Sequence, residues 1–153
     1  MVAALTGQVA ERFPWDLLDE LASDETPMLL NIRCPHEFDA ARIAGSVYVP
    51  RGILEIAADC GYEETVPELV EARERRIVRI CRSGNRSILA AHTLKPMGYT
   101  NAASLRTGVR GWNDLEQALV ETDGSRPGLD AADELLTSRV SPEQQGARAA
   151  NVA

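Results

Sequence analysis

Short apolar runs that alternate with helix-like stretches are the feature that most constrains how this chain can fold. Runs with the length and composition of buried strands cover residues 28–32, 46–49, 77–81 and, more weakly, 101–105. The stretches between them repeat apolar residues at helical spacing. Strands that alternate with helices over about 100 residues predict an α/β domain of three layers, a central parallel sheet with helices on both faces.

Two helices and one loop can be placed more closely. The apolar spacing indicates a helix over 14–21, in which Pro14 suits the first turn. A second helix is indicated over 88–97, and Gly98 would end it. Residues 105–111 are predicted to form a loop.

The 153 residues suffice for one domain with a single core. Turn and linker residues appear at ETDGSRPG, so we expect a domain over 1–120 and a C-terminal extension over 121–153. A short amphipathic helix in the extension is indicated by the spacing of Leu129, Ala132, Leu136 and Val140. Residues 141–153 are predicted to be disordered.

Charge and composition argue against several classes of protein. The net charge of −7 would repel nucleic acids and anionic membranes, and the apolar runs are far shorter than the roughly 18 residues that cross a bilayer. The N-terminus lacks the pattern of a secretory signal, and three widely spaced cysteines do not suggest a disulfide framework, so a cytoplasmic location is expected. The basic run from Arg73 to Arg79 is interpreted as a solvated face.

A cysteine follows the third apolar run and begins a short polar loop before a helix: Cys81-Arg82-Ser83-Gly84-Asn85-Arg86-Ser87. Gly84 and Asn85 tolerate the backbone angles of a curled loop, in which the amides of residues 83–87 can turn toward the sulfur. A helix dipole alone contributes too little to ionise a thiol at neutral pH, so Arg82 and Arg86 are expected to contribute. Cys81 is therefore a candidate nucleophile, and the alternative is a buried structural cysteine.

This loop resembles the active-site loop of the rhodanese-like sulfurtransferases, in particular their single-domain bacterial members. The resemblance covers roughly residues 9–112. Weaker matches are Leu30-Asn31-Ile32-Arg33 with Glu37-Phe38, Arg42-Ile43-Ala44-Gly45-Ser46, and Leu105-Arg106-Thr107-Gly108 with Trp112. Asn31 replaces the usual Asp, which removes a charge that could support the loop through a buried ion pair. Arg42, Ala44 and Thr107 also depart from the family's common residues.

The resemblance implies a persulfide mechanism without a metal or an organic cofactor. The Cys81 thiolate would attack the sulfane sulfur of a donor such as thiosulfate, and cyanide, a thiol or a protein acceptor would then remove that sulfur. The amides of the loop residues Ser83, Gly84, Asn85, Arg86 and Ser87 would hold the persulfide, while Arg82 and Arg86 would neutralise the sulfonate. Arg51, which follows the second apolar run, either faces the same cleft or is a solvated loop arginine.

Three alternatives remain at this level. Phosphatases and arsenate reductases use Cys-x5-Arg, whereas this loop has Cys-x4-Arg, with Ser87 at the position of their arginine. A non-catalytic rhodanese-like binding module and a sulfur carrier that accepts a protein persulfide are the others.

The two other cysteines, Cys34 and Cys60, are candidates for resolving thiols. The favoured interpretation is that Cys34 is a surface residue and Cys60 a structural one. With His36 and His92 they form no metal-site spacing.

Overall fold

The computed structural model describes residues 1–145, and its centre is a sheet of five parallel strands. The strands are β1 (Ala10–Arg12), β2 (Met28–Asn31), β3 (Val47–Tyr48), β4 (Ile77–Ile80) and β5 (Ala102–Leu105). Their order across the sheet is β1-β5-β4-β2-β3, so β4 lies between β2 and β5. The carboxyl ends of these three strands therefore meet at one edge, where parallel sheets commonly bind their ligands.

Helices connect the strands and continue beyond the last one. They are α1 (Val2–Leu5), α2 (Pro14–Leu21), α3 (Pro35–Ala40), α4 (Leu54–Ala57), α5 (Pro67–Glu71), α6 (Asn85–Leu94), α7 (Gly108–Asp114), α8 (Leu129–Leu136) and α9 (Pro142–Gln145). Short 3₁₀ turns cover Arg51–Ile53 and Lys95–Met97.

Each face of the sheet carries its own apolar cluster. On one face, residues of β2 and β4 pack with Leu54 of α4, Leu69 of α5 and Ala90 of α6. On the other, Val78 and Ile80 of β4 pack with a set from α2, α7 and α8: Leu17, Val109, Trp112, Ala132 and Leu136. All residues of β2 and β4 are buried, which explains why these strands are nearly uninterrupted apolar runs. The predicted three-layer α/β fold is confirmed.

The local predictions differ from the structure at several places. The apolar runs become β2, β3, β4 and β5, and the predicted helix 14–21 is α2. The second predicted helix begins earlier, at Asn85, and its last residues form the 3₁₀ turn that contains Pro96. The predicted loop 105–111 is wrong over 108–111, where α7 begins, and β1 was not predicted.

Arg79 was also interpreted wrongly. It does not lie on a solvated face: it is the third residue of the central strand β4 and is fully buried. Because side chains alternate along a strand, Arg79 shares the face of Ile77 and lies under α6.

The C-terminal segment contributes a helix to the folded domain. Ala132 and Leu136 of α8 are buried against α7, and the Asn113 side chain donates to the Leu129 carbonyl at 3.3 Å. Val140 lies beyond the end of α8 and is exposed. Within the stretch predicted to be disordered, Pro142–Gln145 form α9, and residues 146–153 lie outside the described residues.

Candidate active site

Cys81 lies directly after the central strand β4, and the residue is 1% exposed. The Gly84 amide donates to Cys81 Sγ at 3.1 Å, and Ser87 Oγ lies 3.4 Å from the same atom. Both groups can donate a hydrogen bond to a sulfur that carries negative charge. This geometry suits a thiolate that is shielded from bulk water.

The loop after Cys81 leaves several backbone amides without a carbonyl partner. Within residues 1–145, the amides of Ser83, Asn85, Arg86 and Ser87 donate to no backbone carbonyl. Three of them belong to the first turn of α6, whose amides have no acceptor inside the helix. Gly84, with φ +95°, makes the left-handed turn that starts the helix. The loop that begins at Cys81 therefore carries a group of free donors, as an anion-binding loop does.

The N-terminus of α7 fixes the other side of this loop. The amides of Val109 and Arg110 donate to the carbonyls of Cys81 and Arg82 at 2.9 and 3.0 Å. Gly108, with φ +63°, allows this approach, because a β-carbon there would overlap the Cys81 carbonyl oxygen. α7 thus binds the carbonyl groups of the loop and leaves its amides available to the sulfur.

A buried pair of hydroxyl groups extends from the sulfur into the sheet. Ser87 Oγ lies 2.6 Å from Ser104 Oγ in β5 and donates to the Gly84 carbonyl at 2.9 Å. Both serines are fully buried. If Ser104 donates to Ser87, the single Ser87 proton is free for either the carbonyl or the sulfur. Sequence reasoning missed Ser104, whose only signal was a hydroxyl within an apolar run.

Arg86 is engaged by a carboxylate rather than open to a ligand. Its two terminal nitrogens each donate to a different Glu37 oxygen at 2.7 Å. Burial alone would raise the pKa of Glu37, but hydrogen bonds from Arg86 and the Cys34 amide and the charges of Arg86 and Arg33 lower it to about 2. The ion pair therefore ties the first turn of α6 to α3.

Arg82 is the loop cation without a carboxylate. No carboxylate of residues 1–145 lies within ion-pair distance of it, and its Nη2 contacts Ser138 Oγ at 3.4 Å. Arg82, Glu37, Leu135 and Leu136 are among the residues that line a cavity of about 170 Å³. A positive charge thus faces a recess whose far wall belongs to α8.

Asn31, at the position where the family usually has Asp, forms hydrogen bonds with Arg33 at the end of β2. The Asn31 amide oxygen accepts from the backbone amide and Nε of Arg33, both at 3.2 Å, and Arg33 Nη2 donates to the Ala41 carbonyl. Desolvation lowers the pKa of Arg33 to about 10, although Glu37 opposes this shift. In the described part of the chain Arg33 has no carboxylate within ion-pair distance, so neutral hydrogen bonds replace the ion pair that an Asp would form.

The structure does not bring Arg51 together with Cys81. Its guanidinium donates to Glu55 at 3.0 Å and to Thr93 Oγ1 at 3.0 Å. Thr93 lies eight residues after Asn85, about 12 Å along the α6 axis from the loop.

The other cysteines are free thiols on the surface. Cys34 caps α3 and lies 3.9 Å from Arg86 Nη1, and Cys60 is exposed in a connecting segment. In the described residues, His, Cys, Asp and Glu side chains form no group of three that could hold a metal ion. No helix among them has the length and apolar character needed to span a bilayer.

Comparison with known proteins covers most of the chain. Residues 14–115 match the rhodanese-like domain. A sulfurtransferase of Allochromatium vinosum is 30% identical over 108 residues, which cover 71% of this chain and 92% of that protein. The candidate sulfur carrier protein YrkF of Bacillus subtilis is 37% identical over 90 residues, 59% of this chain. The match spans only 43% of YrkF, so less than half of that protein has a counterpart here.

A solved structure adds a different suggestion about chemistry. A protein of unknown function from Rhodopseudomonas palustris, described as a possible tyrosine phosphatase, superposes with a TM-score of 0.66 at 28% identity. The superposition covers 76% of this chain and 88% of that one. Because the family match extends over residues 14–115, most of the chain, the protein belongs to the rhodanese-like domain family of sulfurtransferases and sulfur carriers.

Proposed function

We propose that the protein transfers sulfane sulfur through a persulfide on Cys81, with thiosulfate as a competent donor. The observation that carries the proposal is the buried Cys81 sulfur, which lies beside free backbone amides and accepts a hydrogen bond from Gly84. Nucleophilic attack on sulfur requires a thiolate and no general base, which agrees with a loop rich in donors.

The first half-reaction forms one sulfur–sulfur bond and breaks another. The Cys81 thiolate attacks the outer sulfur of thiosulfate, and sulfite leaves with the electron pair of the broken bond. The Gly84 amide stabilises the inner sulfur, and the Ser87 hydroxyl does so when its single proton turns from the Gly84 carbonyl to the sulfur. The free amides at the start of α6 receive the negative outer sulfur. Arg82 neutralises the sulfonate, because its charge is not bound by a carboxylate.

The second half-reaction restores the enzyme. An acceptor such as cyanide attacks the outer sulfur, and the Cys81 thiolate leaves. Arg86 acts as a positioning residue in both steps, since its charge is held by Glu37 and its helix turn supplies the amides. A thiol or a protein acceptor in a reducing cytoplasm remains the prediction for the cell.

Intact mass after incubation with thiosulfate tests the proposal. We expect one added sulfur atom on the parent protein, its removal by cyanide, and no adduct on Cys81→Ser. Cys60→Ser is the matched control, because Cys60 is an exposed thiol away from the loop, and it should gain the sulfur normally. Absence of an adduct at donor excess would contradict the thiosulfate step and favour a binding module.

A sulfur carrier is the second candidate, and its support is the similarity to YrkF. Such a carrier would accept sulfur from another protein's persulfide. Steady-state kinetics separate the two functions: a thiosulfate enzyme saturates with thiosulfate, whereas a carrier forms the Cys81 adduct from a protein persulfide and reacts with thiosulfate only slowly and without saturation.

Phosphatase activity has less support from this site. Phosphate-ester hydrolysis needs a loop arginine that binds the oxoanion, but both terminal nitrogens of Arg86 bind Glu37 and the loop is one residue short. We expect no Cys81-dependent hydrolysis of a small aryl phosphate. Efficient hydrolysis that Cys81→Ser abolishes would reverse this assignment.

A further inference from the structure

The carboxyl edge of the sheet is positively charged, although the chain as a whole is acidic. The segments that join the strands to the helices or 3₁₀ turns after them contain three arginines and no carboxylate: residues 13, 32–34, 49–50, 81–84 and 106–107. The arginines are Arg33, Arg82 and Arg106. Because the whole chain has 23 acidic and 16 basic side chains, this edge reverses the overall balance of charge.

The carboxylates in the first helical turns at this edge are bound within the chain. Asp16 of α2 accepts a hydrogen bond at 3.0 Å from the backbone amide that precedes the helix, and both oxygens of Glu37 in α3 bind Arg86. The first turns of α6 and α7 contain no acidic residue. The exposed carboxylates of Asp19 in α2 and Asp114 in α7 lie about 7.5 and 9 Å along their helices from this edge.

Arg82, Arg106 and Arg110 are accessible cations of this edge, whereas Arg33 is buried. Within residues 1–145, Arg82 and Arg110 form no ion pair, and Arg106 has only a long contact of 3.8 Å with Glu11. Arg110 belongs to the first turn of α7, and its amide binds the carbonyl of Arg82 in the loop. These charges therefore border the loop directly and remain available to the carboxylates of a partner.

An exposed aromatic pair lies at the same edge. The rings of Phe13 and Trp15 stack with centroids 4.4 Å apart and planes 9° apart, and the Arg106 guanidinium lies 4.9 Å from the centroid of the Phe13 ring. Trp15 is nevertheless 52% exposed. Tryptophan and arginine are the side chains that most often dominate the binding energy of protein interfaces, so this group suits contact with a protein.

The aromatic pair is close to the sulfur. Arg12 pairs with Leu105, and Arg79 pairs with Ser104, so Phe13, Arg106 and Cys81 are the next residues along three neighbouring strands. The Arg106 amide donates to the Arg12 carbonyl at 2.8 Å and extends this pairing beyond β1. Since neighbouring strands lie about 4.8 Å apart, the backbone of Phe13 is about 10 Å from that of Cys81.

We propose that Phe13, Trp15, Arg82, Arg106 and Arg110 form a docking surface for an acidic segment of a protein that carries the acceptor thiol. The inference rests on the sulfur transfer proposed above and names the class of acceptor. The arginines would pair with carboxylates of the segment, and Trp15 would pack on its apolar groups.

The transfer itself needs only the partner's thiolate. Its sulfur attacks the outer sulfur of the Cys81 persulfide and forms the new sulfur–sulfur bond, and the Cys81 thiolate leaves with the electron pair of the broken bond. The partner becomes the persulfide, so neither an oxidant nor a reductant is consumed. A nucleic acid would also match the charge, but it lacks the thiol.

Transfer from the persulfide form of the full chain to two synthetic peptides tests the docking surface. The peptides have equal length and one central cysteine, flanked by glutamates in one and by lysines in the other. Each rate is divided by the peptide's own rate with a small aromatic disulfide, which corrects for the intrinsic reactivity of its thiol. We expect the corrected rate of the acidic peptide to be about tenfold higher or more, and chloride at about 0.5 M to remove most of this difference.

Variants of the docking surface should lose this preference. Relative to the rate with cyanide, Trp15→Ala should lower the rate with the acidic peptide about tenfold and Arg110→Ala about threefold. Tyr62→Ala and Arg75→Ala are the matched controls, because both residues are exposed and lie outside the docking surface. Trp15 and Arg110 are themselves exposed, so we expect their variants to fold.

Binding without transfer separates this inference from the function proposed above. The acidic peptide with serine in place of cysteine should shift the fluorescence of Trp15, and Trp15→Phe should show no shift, because the other tryptophan, Trp112, is 4% exposed. Equal corrected rates for the two peptides, or no fluorescence response to the acidic one, would overturn the docking surface even if the Cys81 persulfide forms. A fluorescence response without a persulfide would support the docking of an acidic segment and contradict the sulfur transfer.

Discussion

The two ends of α6 handle charge in opposite ways. At its N-terminus, the loop that holds Cys81 has free amides, and both terminal nitrogens of Arg86 bind the Glu37 carboxylate. Near its C-terminus, Arg79 and Lys95 line a recess without a carboxylate. The first end holds a sulfur of the chain beside hydrogen-bond donors, whereas Arg79 and Lys95 at the second end have no carboxylate partner in the described residues. Substitutions at the first end should therefore change sulfur transfer, and substitutions at the second should not.

The largest expected effect comes from the contact that fixes the loop. Gly108→Ala should destabilise the fold by about 3 kcal/mol and abolish sulfur transfer. A β-carbon at this position would overlap the backbone of Cys81 and Arg82, and alanine would have to adopt the positive φ of Gly108. Gly52→Ala is the matched control, since a β-carbon at Gly52 meets nothing within 4 Å. Melting temperature and cyanide-dependent turnover measure both variants. Near-normal activity of Gly108→Ala would show that α7 does not fix the loop.

The next largest effect is expected from the Glu37–Arg86 ion pair, whose contribution to the stability of the fold depends on pH. The pKa of Glu37 is about 2 in the folded protein and 4.5 ordinarily, so the pair stabilises the fold fully above pH 4.5 and loses this contribution as pH falls toward 2. Glu37→Gln should cost about 2 kcal/mol at pH 7 and almost nothing at pH 2. Denaturant unfolding at several pH values measures the difference. An equal loss at both ends of this range would show that the Glu37 charge is not what matters.

Arg82 is expected to affect the binding of the sulfur donor rather than the stability of the fold. Arg82→Ala should raise the KM for thiosulfate by about tenfold, equivalent to roughly 1.4 kcal/mol, with little change in melting temperature. Arg51→Ala removes the same charge near the far end of α6 and should leave KM unchanged. Equal KM values for Arg82→Ala and the parent would point to a donor other than thiosulfate.

The smallest expected effect is that of the buried hydroxyl pair. Ser104→Ala removes the hydroxyl that donates to Ser87 and should lower kcat about threefold, because a Ser87 hydroxyl that no longer accepts this bond is a weaker donor to the sulfur. The acidic limb of the pH profile should also move to higher pH, a change that a purely structural role would not produce. An unchanged profile would assign Ser104 to packing alone.

The sequence predicted the parts of the fold whose signal is local. β2 and β4 are buried on both faces, which gives each a continuous apolar run, and the residues of the loop between β4 and α6 are contiguous in the sequence. β1 has only three residues, two of them charged, and α7 begins with a glycine at positive φ, so neither has a strong periodic pattern.

The parts of the site that the sequence did not predict depend on contacts between residues far apart in the chain. Glu37 and Arg86 are 49 positions apart, and Ser87 and Ser104 are 17 apart, so no spacing rule connects them. Arg79 was misplaced because it was grouped with the charged residues 73–76, which usually face water, whereas its neighbours Val78 and Ile80 place it inside the buried strand β4. Such contacts follow from the order of the strands in the sheet, which the sequence patterns did not predict.

The position of α8 has a consequence for how donor choice could diversify. α8 lies beyond residues 14–115, the segment shared with the rhodanese-like domain, yet Leu135 and Leu136 form a wall of the recess that Arg82 faces. Arg82 and this wall therefore lie in different parts of the chain, the first inside the matched segment and the second outside it. Because Arg82 is proposed to bind the donor, we expect that exchanging residues 121–145 for those of a relative changes which donors are accepted while the loop around Cys81 keeps its structure.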